Sequence, residues 1–220
     1  MSIKDNLKKL KSELPARVKL VAVSKTKSVE DIKEAFDAGH KVFGENKAQE
    51  MINKQPDLPD DIEWHFIGHL QSNKVKYLAP FVSMIHSVDR KKILKEINKE
   101  AKKNNRVIDC LLQFHIAEEE TKFGLSMEEA RELIESEAFK GYENVRIKGV
   151  MGMATFTENT AQVRREFKNL VHIFQTLKKD YFNNQQFTEL SMGMSGDYQL
   201  AIEEGSTMVR VGSLIFGARE

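Results

Sequence analysis

The chain has 220 residues, 40% of them hydrophobic and 30% charged, an ordinary balance for a globular protein. Its 34 basic and 33 acidic residues leave a formal net charge of +1, which excludes an extended basic surface for nucleic acid or anionic lipid. No apolar run approaches the roughly 20 residues that a membrane-spanning helix needs.

Residues 1–14 mix lysines and acids with spaced leucines, the pattern of an amphipathic helix rather than of a secretory signal, so a cytoplasmic protein is expected. From there, short apolar runs alternate with stretches of helical period. Strands are expected at 20–24, 42–44, 64–68, 84–88, 107–115, 147–153, 189–192 and 208–211. Helices are expected between them at 29–38, 47–54, 73–79, 90–103, 126–135, 161–179 and 198–204. The punctuation agrees. Ser28 with Asp31 can cap the helix that follows and Gly39 closes it, Ser126 precedes Glu128 and Glu129, and Gly205 ends the last helix. Strands alternating with helices pair in parallel through helical crossovers. Eight such units predict a single (β/α)8 TIM barrel with an extra N-terminal helix, a fold that takes about 200–250 residues. One domain over residues 1–220 is therefore expected.

Several conspicuous residues have plain explanations. The single cysteine, Cys110, lies in the apolar run 107–112 and reads as core packing, with no partner for a disulfide or a zinc site. The lysines at 8, 9 and 11, and at 91, 92 and 95, sit in helical patterns with acids nearby and read as solvated faces. His65 and His69 straddle a strand and its turn rather than one helix face, so no metal site is expected.

Chemistry in such a barrel gathers at the carboxyl ends of the strands. The first strand runs into Val23-Ser24-Lys25-Thr26-Lys27. Lys25 is either a surface lysine or a nucleophilic amine, and the second role requires desolvation or a nearby cation. The seventh strand runs into Ser191-Met192-Gly193-Met194-Ser195-Gly196-Asp197, and the eighth into Val209-Arg210-Val211-Gly212-Ser213. Glycine and serine turns after strands seven and eight suit a phosphate, because backbone N–H groups and hydroxyls converge there. Strand one neighbours strand eight in a closed barrel, which sets Lys25 beside that phosphate site. An amine beside a phosphate anchor fits a phosphorylated aldehyde: pyridoxal phosphate bound as cofactor, or a sugar phosphate held by a Schiff-base aldolase. His65 and His86 read either as hydrogen-bonded core residues or as neighbours of a cofactor.

These segments resemble the pyridoxal phosphate homeostasis protein family, one-domain relatives of the alanine racemase N-terminal barrel. The resemblance runs from about Val18 to the C-terminus. It is most specific in Trp64-His65-Phe66-Ile67-Gly68-His69-Leu70-Gln71-Ser72-Asn73-Lys74, and extends through the Lys25 segment, Phe43-Gly44-Glu45-Asn46 and the turns after strands seven and eight. It implies that Lys25 holds pyridoxal 5'-phosphate as a Schiff base, that Ser195, Gly212 and Ser213 hold the phosphate, and that Asn46 lies near the cofactor. It also implies that Arg210 faces the pyridine nitrogen. A guanidinium only donates hydrogen bonds, so it keeps that nitrogen unprotonated and weakens the ring as an electron sink. The implied function is intracellular pyridoxal phosphate homeostasis without amino-acid catalysis, with apo-enzymes that need the cofactor as partners. The alternative is an amino-acid racemase or decarboxylase, which needs a second base that relatives draw from a further domain.

Overall fold

Strand alternation decides which side chains fill the barrel and which meet the helices. In the computed structural model, which describes residues 2–118, 123–182 and 185–218, the strands are β1 (Lys19–Val23), β2 (Val42–Glu45), β3 (Glu63–Phe66) and β4 (Met84–Val88). They continue with β5 (Ile108–Gln113), β6 (Val145–Met151), β7 (Glu189–Met194) and β8 (Met208–Val211). Among the described residues all eight pair in parallel in sequence order, and β8 returns to β1 to close the barrel. The fold read from the sequence is the fold observed.

Inside the wall, Val21, Met84, Leu111, Met151 and Met208 pack as a small fully or nearly fully buried layer. The residues beside them in each strand, such as Leu20 and Ala22 in β1 and Val209 and Val211 in β8, face outward into the larger core under the helices. Around that core lie α1 (Ile3–Glu13), α2 (Val29–Asp37), α3 (Ala48–Lys54), α4 (Ser72–Leu78) and α5 (Lys91–Lys103). The set is completed by α6 (Met127–Glu135), α7 (Glu137–Lys140), α8 (Thr160–Asp180), α9 (Tyr198–Glu203) and α10 (Ser213–Phe216).

The helix starts are chemical as well as hydrophobic. Ser28 and Asp31 form a reciprocal capping box on α2, and Ser126 and Glu129 form one on α6. The extra helix α1 buries Leu7 and Leu10, and Asn6 Nδ2 donates to the Ile215 carbonyl of α10 at 3.0 Å, so the first and last helices lie together. The sequence missed α7 and α10, each only four residues long. It also ended the seventh strand at 192, whereas β7 reaches Met194 through an irregularity in which Ser191 and Met194 pair with Met208 and Arg210. The extra residue is a bulge, with Gly193 at φ 96°, and such bulges re-aim side chains at barrel rims. Among the described residues no helix is long and apolar enough to cross a membrane.

Candidate functional site

The inward face continues past the strand ends. In β1 it runs from Val21 through Val23 to Lys25, in β2 from Val42 through Gly44 to Asn46, and in β3 from His65 to Ile67. In β8, Arg210 follows Met208 on the same face. At the C-terminal mouth the last residues of this face, among them Val23, Lys25, Asn46, Ile67 and Arg210, help enclose a cavity of about 470 Å³, within the range of small-molecule sites. Lys25, Asn46, Ser195, Arg210, Gly212 and Ser213 all line it. Its walls are partly apolar, through Val23, Ile67, Met153 and Met194.

Two glycines permit the close approaches. A Cβ on Gly212 would lie 2.9 Å from the Val23 carbonyl oxygen, so only glycine lets the end of β8 lie against the end of β1. A Cβ on Gly68 would lie 2.0 Å from the Asn46 carbonyl oxygen, so the loop after β3 supports Asn46 from behind. The turn after β7 is held by the Asp197 carboxylate, which accepts from Met194 N at 2.5 Å. Ser195, at its tip, accepts from Gly212 N at 3.2 Å and ties this turn to the one after β8.

His65 does not line the cavity. It is buried inside the barrel, joined to the site by a relay. Arg210 Nη1 donates to Ser191 Oγ at 2.6 Å and to the Ser191 carbonyl at 2.9 Å, and Nη2 donates to the Gly152 carbonyl at 3.1 Å. Ser191 Oγ lies 3.1 Å from His86 Nδ1, and His86 Nε2 lies 3.0 Å from His65 Nδ1. Because Ser191 Oγ already accepts from Arg210, its hydroxyl hydrogen is free for His86 Nδ1. His86 then donates from Nε2 to His65. Burial, with a smaller contribution from the Lys19 charge, pushes His65 down to about 3. His86 is pushed well below its ordinary value by burial and then by the positive charge potential of His65 and Arg210. Both imidazoles are neutral at neutral pH. Burial also lowers Arg210, to about 10, against the opposing charge of Asp197, and leaves it a cation.

Behind the wall lies a second polar cluster. Glu45 is fully buried, and its Oε1 accepts from Ser24 Oγ at 2.7 Å and from Lys54 Nζ at 2.9 Å. Lys54 also donates to the Ser24 carbonyl at 2.9 Å and to Glu50 Oε1 at 2.7 Å, and Glu50 Oε1 accepts from Thr26 N at 2.5 Å. Thr26 has φ 65°, a left-handed conformation that a β-branched residue rarely adopts. Burial raises the Glu45 carboxyl, against its bonds to Lys54 and Ser24. Its second oxygen, Oε2, is buried with no hydrogen-bond partner.

Sequence reasoning assigned no role to Ser191, Lys54 or Glu50. One signal was present: Glu45 follows the outward-facing Phe43 by two residues, and a carboxylate on an otherwise apolar strand face requires a buried partner.

The barrel and its mouth place the chain among alanine-racemase-type barrels, and the alanine racemase N-terminal domain family matches residues 1–220. The "Pyridoxal phosphate homeostasis protein" of Aquifex aeolicus (strain VF5) is 46% identical over 92% of this chain and 87% of its own length. The protein of the same name from Escherichia coli (strain K12) is 36% identical over 94% of this chain and 88% of its own. The structure of PipY from Synechococcus elongatus PCC7942 with PLP bound matches at TM-score 0.88 and 35% identity, covering 98% of this chain and all of that one. Alanine racemase from E. faecalis, at TM-score 0.77 but 15% identity, shares the fold over 58% of its length. The chain belongs to the pyridoxal phosphate homeostasis protein family.

Proposed function

We propose that this protein binds pyridoxal 5'-phosphate at the barrel mouth and serves as a cytoplasmic carrier in pyridoxal phosphate homeostasis, releasing the cofactor to apo-enzymes that need it. The observation that carries the reading is the shared cavity. One lysine, one buried guanidinium and the serine and glycine turns after β7 and β8 converge on a single space of about 470 Å³. The donor set fits the cofactor. Ser195 and Ser213 supply hydroxyl donors suited to a phosphate, Gly212 joins the two turns through its N–H to Ser195 Oγ, and Arg210 supplies a fixed cation whose hydrogen-bond partners include no carboxylate. Bound there, the cofactor supplies an aldehyde that bonds reversibly to amines, and Lys25 is the amine on the cavity wall at the end of β1. Asn46 lies beside it, and His65 acts from below through the relay to Arg210. The PipY structure with PLP bound supports the same reading.

Arg210 also favours a carrier over a racemase or decarboxylase, since a donor-only partner discourages protonation of the ring nitrogen on which carbanion chemistry relies. Borohydride reduction of the loaded protein, followed by peptide mass mapping, should place the pyridoxyl group on Lys25; labelling of Lys27 instead would overturn the assignment. Solvent deuterium should enter the α-carbon of amino acids no faster than with free pyridoxal phosphate. Saturable, stereospecific exchange abolished by Lys25→Ala would establish the enzyme.

A further inference from the structure

The cluster behind the wall touches neither the cavity nor its phosphate turns, yet it grips the backbone on both sides of Lys25. On the N-terminal side, Ser24 is held three ways: its N–H donates to the Gly44 carbonyl at 3.0 Å, its hydroxyl donates to Glu45, and its carbonyl accepts from Lys54. On the C-terminal side, the Thr26 N–H donates to Glu50, the carboxylate that Lys54 also pairs with. Strand alternation sends the Lys25 side chain into the mouth while its two neighbours are fastened to α3. Thr26 must take a left-handed conformation for this to work, and such a conformation persists only where the surroundings over-determine it. Lys54, 8% exposed and the centre of the cluster, connects all of these groups.

We propose that Lys54, acting through Glu45 and Glu50, is a positioning residue that fixes the backbone around Lys25 so that its amine meets the cofactor aldehyde. This rests on the proposed cofactor site. In the step it serves, the neutral Lys25 nitrogen adds to the aldehyde carbon, a C=N bond forms and one water leaves. A lysine on a loose loop would still reach the cavity, but it would populate the reactive geometry less often. The phosphate turns, on β7 and β8, are independent of α3.

The test separates covalent attachment from phosphate binding. Pyridoxine 5'-phosphate has an alcohol in place of the aldehyde and reports the phosphate site alone. Glu50 is partly exposed on the first turn of its helix, so Glu50→Ala should fold where Lys54→Met is at risk. In Glu50→Ala we expect covalent uptake of pyridoxal 5'-phosphate to fall about tenfold, as for loss of one hydrogen bond to a charged group. Pyridoxine 5'-phosphate affinity should stay within about twofold, because no phosphate donor is altered. In the cofactor-free protein the Thr26 amide should exchange with solvent faster than in the parent. Glu50→Gln, whose amide oxygen still accepts from Thr26, should recover most of the uptake. Unchanged uptake in Glu50→Ala, or a parallel fall in pyridoxine 5'-phosphate affinity, overturns the positioning role while Lys25 labelling in the parent still stands. A parent that takes up no cofactor at Lys25 removes the site itself, and this role with it.

Discussion

Inside the barrel wall, a cation is buried without a carboxylate among its hydrogen-bond partners. Arg210 is 4% exposed, its donors go to Ser191 and the Gly152 carbonyl, and the two imidazoles linked to Ser191 stay neutral. Outside the wall, Lys54 is also buried, at 8% exposed, but is matched by Glu45 and Glu50. The difference teaches what each cluster is for. A buried charge that the protein compensates itself is a fastening, because every strong interaction it makes is already internal. A buried cation whose hydrogen bonds go only to neutral groups, with Asp197 acting on it through charge alone, keeps more of its field for whatever enters the cavity.

Removing each cation should show the contrast directly. Lys54→Met keeps the length of the side chain but leaves the Glu45 carboxyl buried without its cation, and breaking a buried pair in that way costs about 3–5 kcal/mol. Arg210→Met takes one donor from the Gly152 carbonyl, while the Ser191 hydroxyl keeps His86 and the Ser191 carbonyl keeps the Gly152 N–H, and no charged hydrogen-bond partner is stranded, for a cost of about 1–3 kcal/mol. Urea unfolding of the cofactor-free variants checks the order. A larger loss for Arg210→Met would mean that the inner cation is internally compensated after all, and the distinction would fail.

Much of this was legible in the sequence, for identifiable reasons. The barrel followed from alternating periods, and the Lys25, Ser195 and Gly212 turns followed from where barrel strands end. Contacts between strands distant in sequence were not legible. Ser191 and His86 are 105 residues apart, and nothing local marks either as a relay member. Lys54 looked like any lysine near the end of an amphipathic helix, since propensity does not distinguish a lysine that faces solvent from one that reaches a buried strand end. His65 was readable only as either a hydrogen-bonded core residue or a neighbour of the cofactor, because strand position alone does not say how deep in the barrel a side chain sits; it is absent from the cavity lining and meets His86.

Acid should separate the clusters by sign. The folded value of His65, about 3, lies below the unfolded value of about 6.5, and burial pushes His86 well below it too. The unfolded chain therefore binds more protons in that window. The stability these histidines contribute is fully present above pH about 6.5 and is lost as the pH falls toward their folded values, by about 2 kcal/mol for His65 at pH 5. Glu45 works in the other direction: its folded carboxyl is raised, so its contribution is present below the unfolded value and is lost as pH rises through the folded one. His65→Asn, whose amide oxygen can still accept from His86, should thus lose about 2 kcal/mol less than the parent between pH 7 and pH 5. Glu45→Gln should lose more than the parent over the acidic range. Parallel curves for parent and His65→Asn would mean that His65 is protonated when folded, and the neutral relay would be wrong.

The smallest expected effect bears on how tightly the outer cluster holds. Thr26 is exposed, so its side chain contributes little packing, yet its backbone is kept at φ 65° by the Glu50 hydrogen bond. Asparagine enters the left-handed region more readily than a β-branched residue, because its short polar side chain can hydrogen-bond locally. It also keeps the N–H that Glu50 accepts. Thr26→Asn should therefore raise stability, by about 0.5–1 kcal/mol, since it relieves strain without loosening the clamp. The same substitution in a Glu50→Ala background should give a smaller gain, because the loop is then free to leave the strained conformation, and a double-mutant cycle reads that coupling. Equal gains in both backgrounds would mean that Glu50 does not hold Thr26 in place, and the fastening behind Lys25 would reduce to the Lys54–Ser24 side alone.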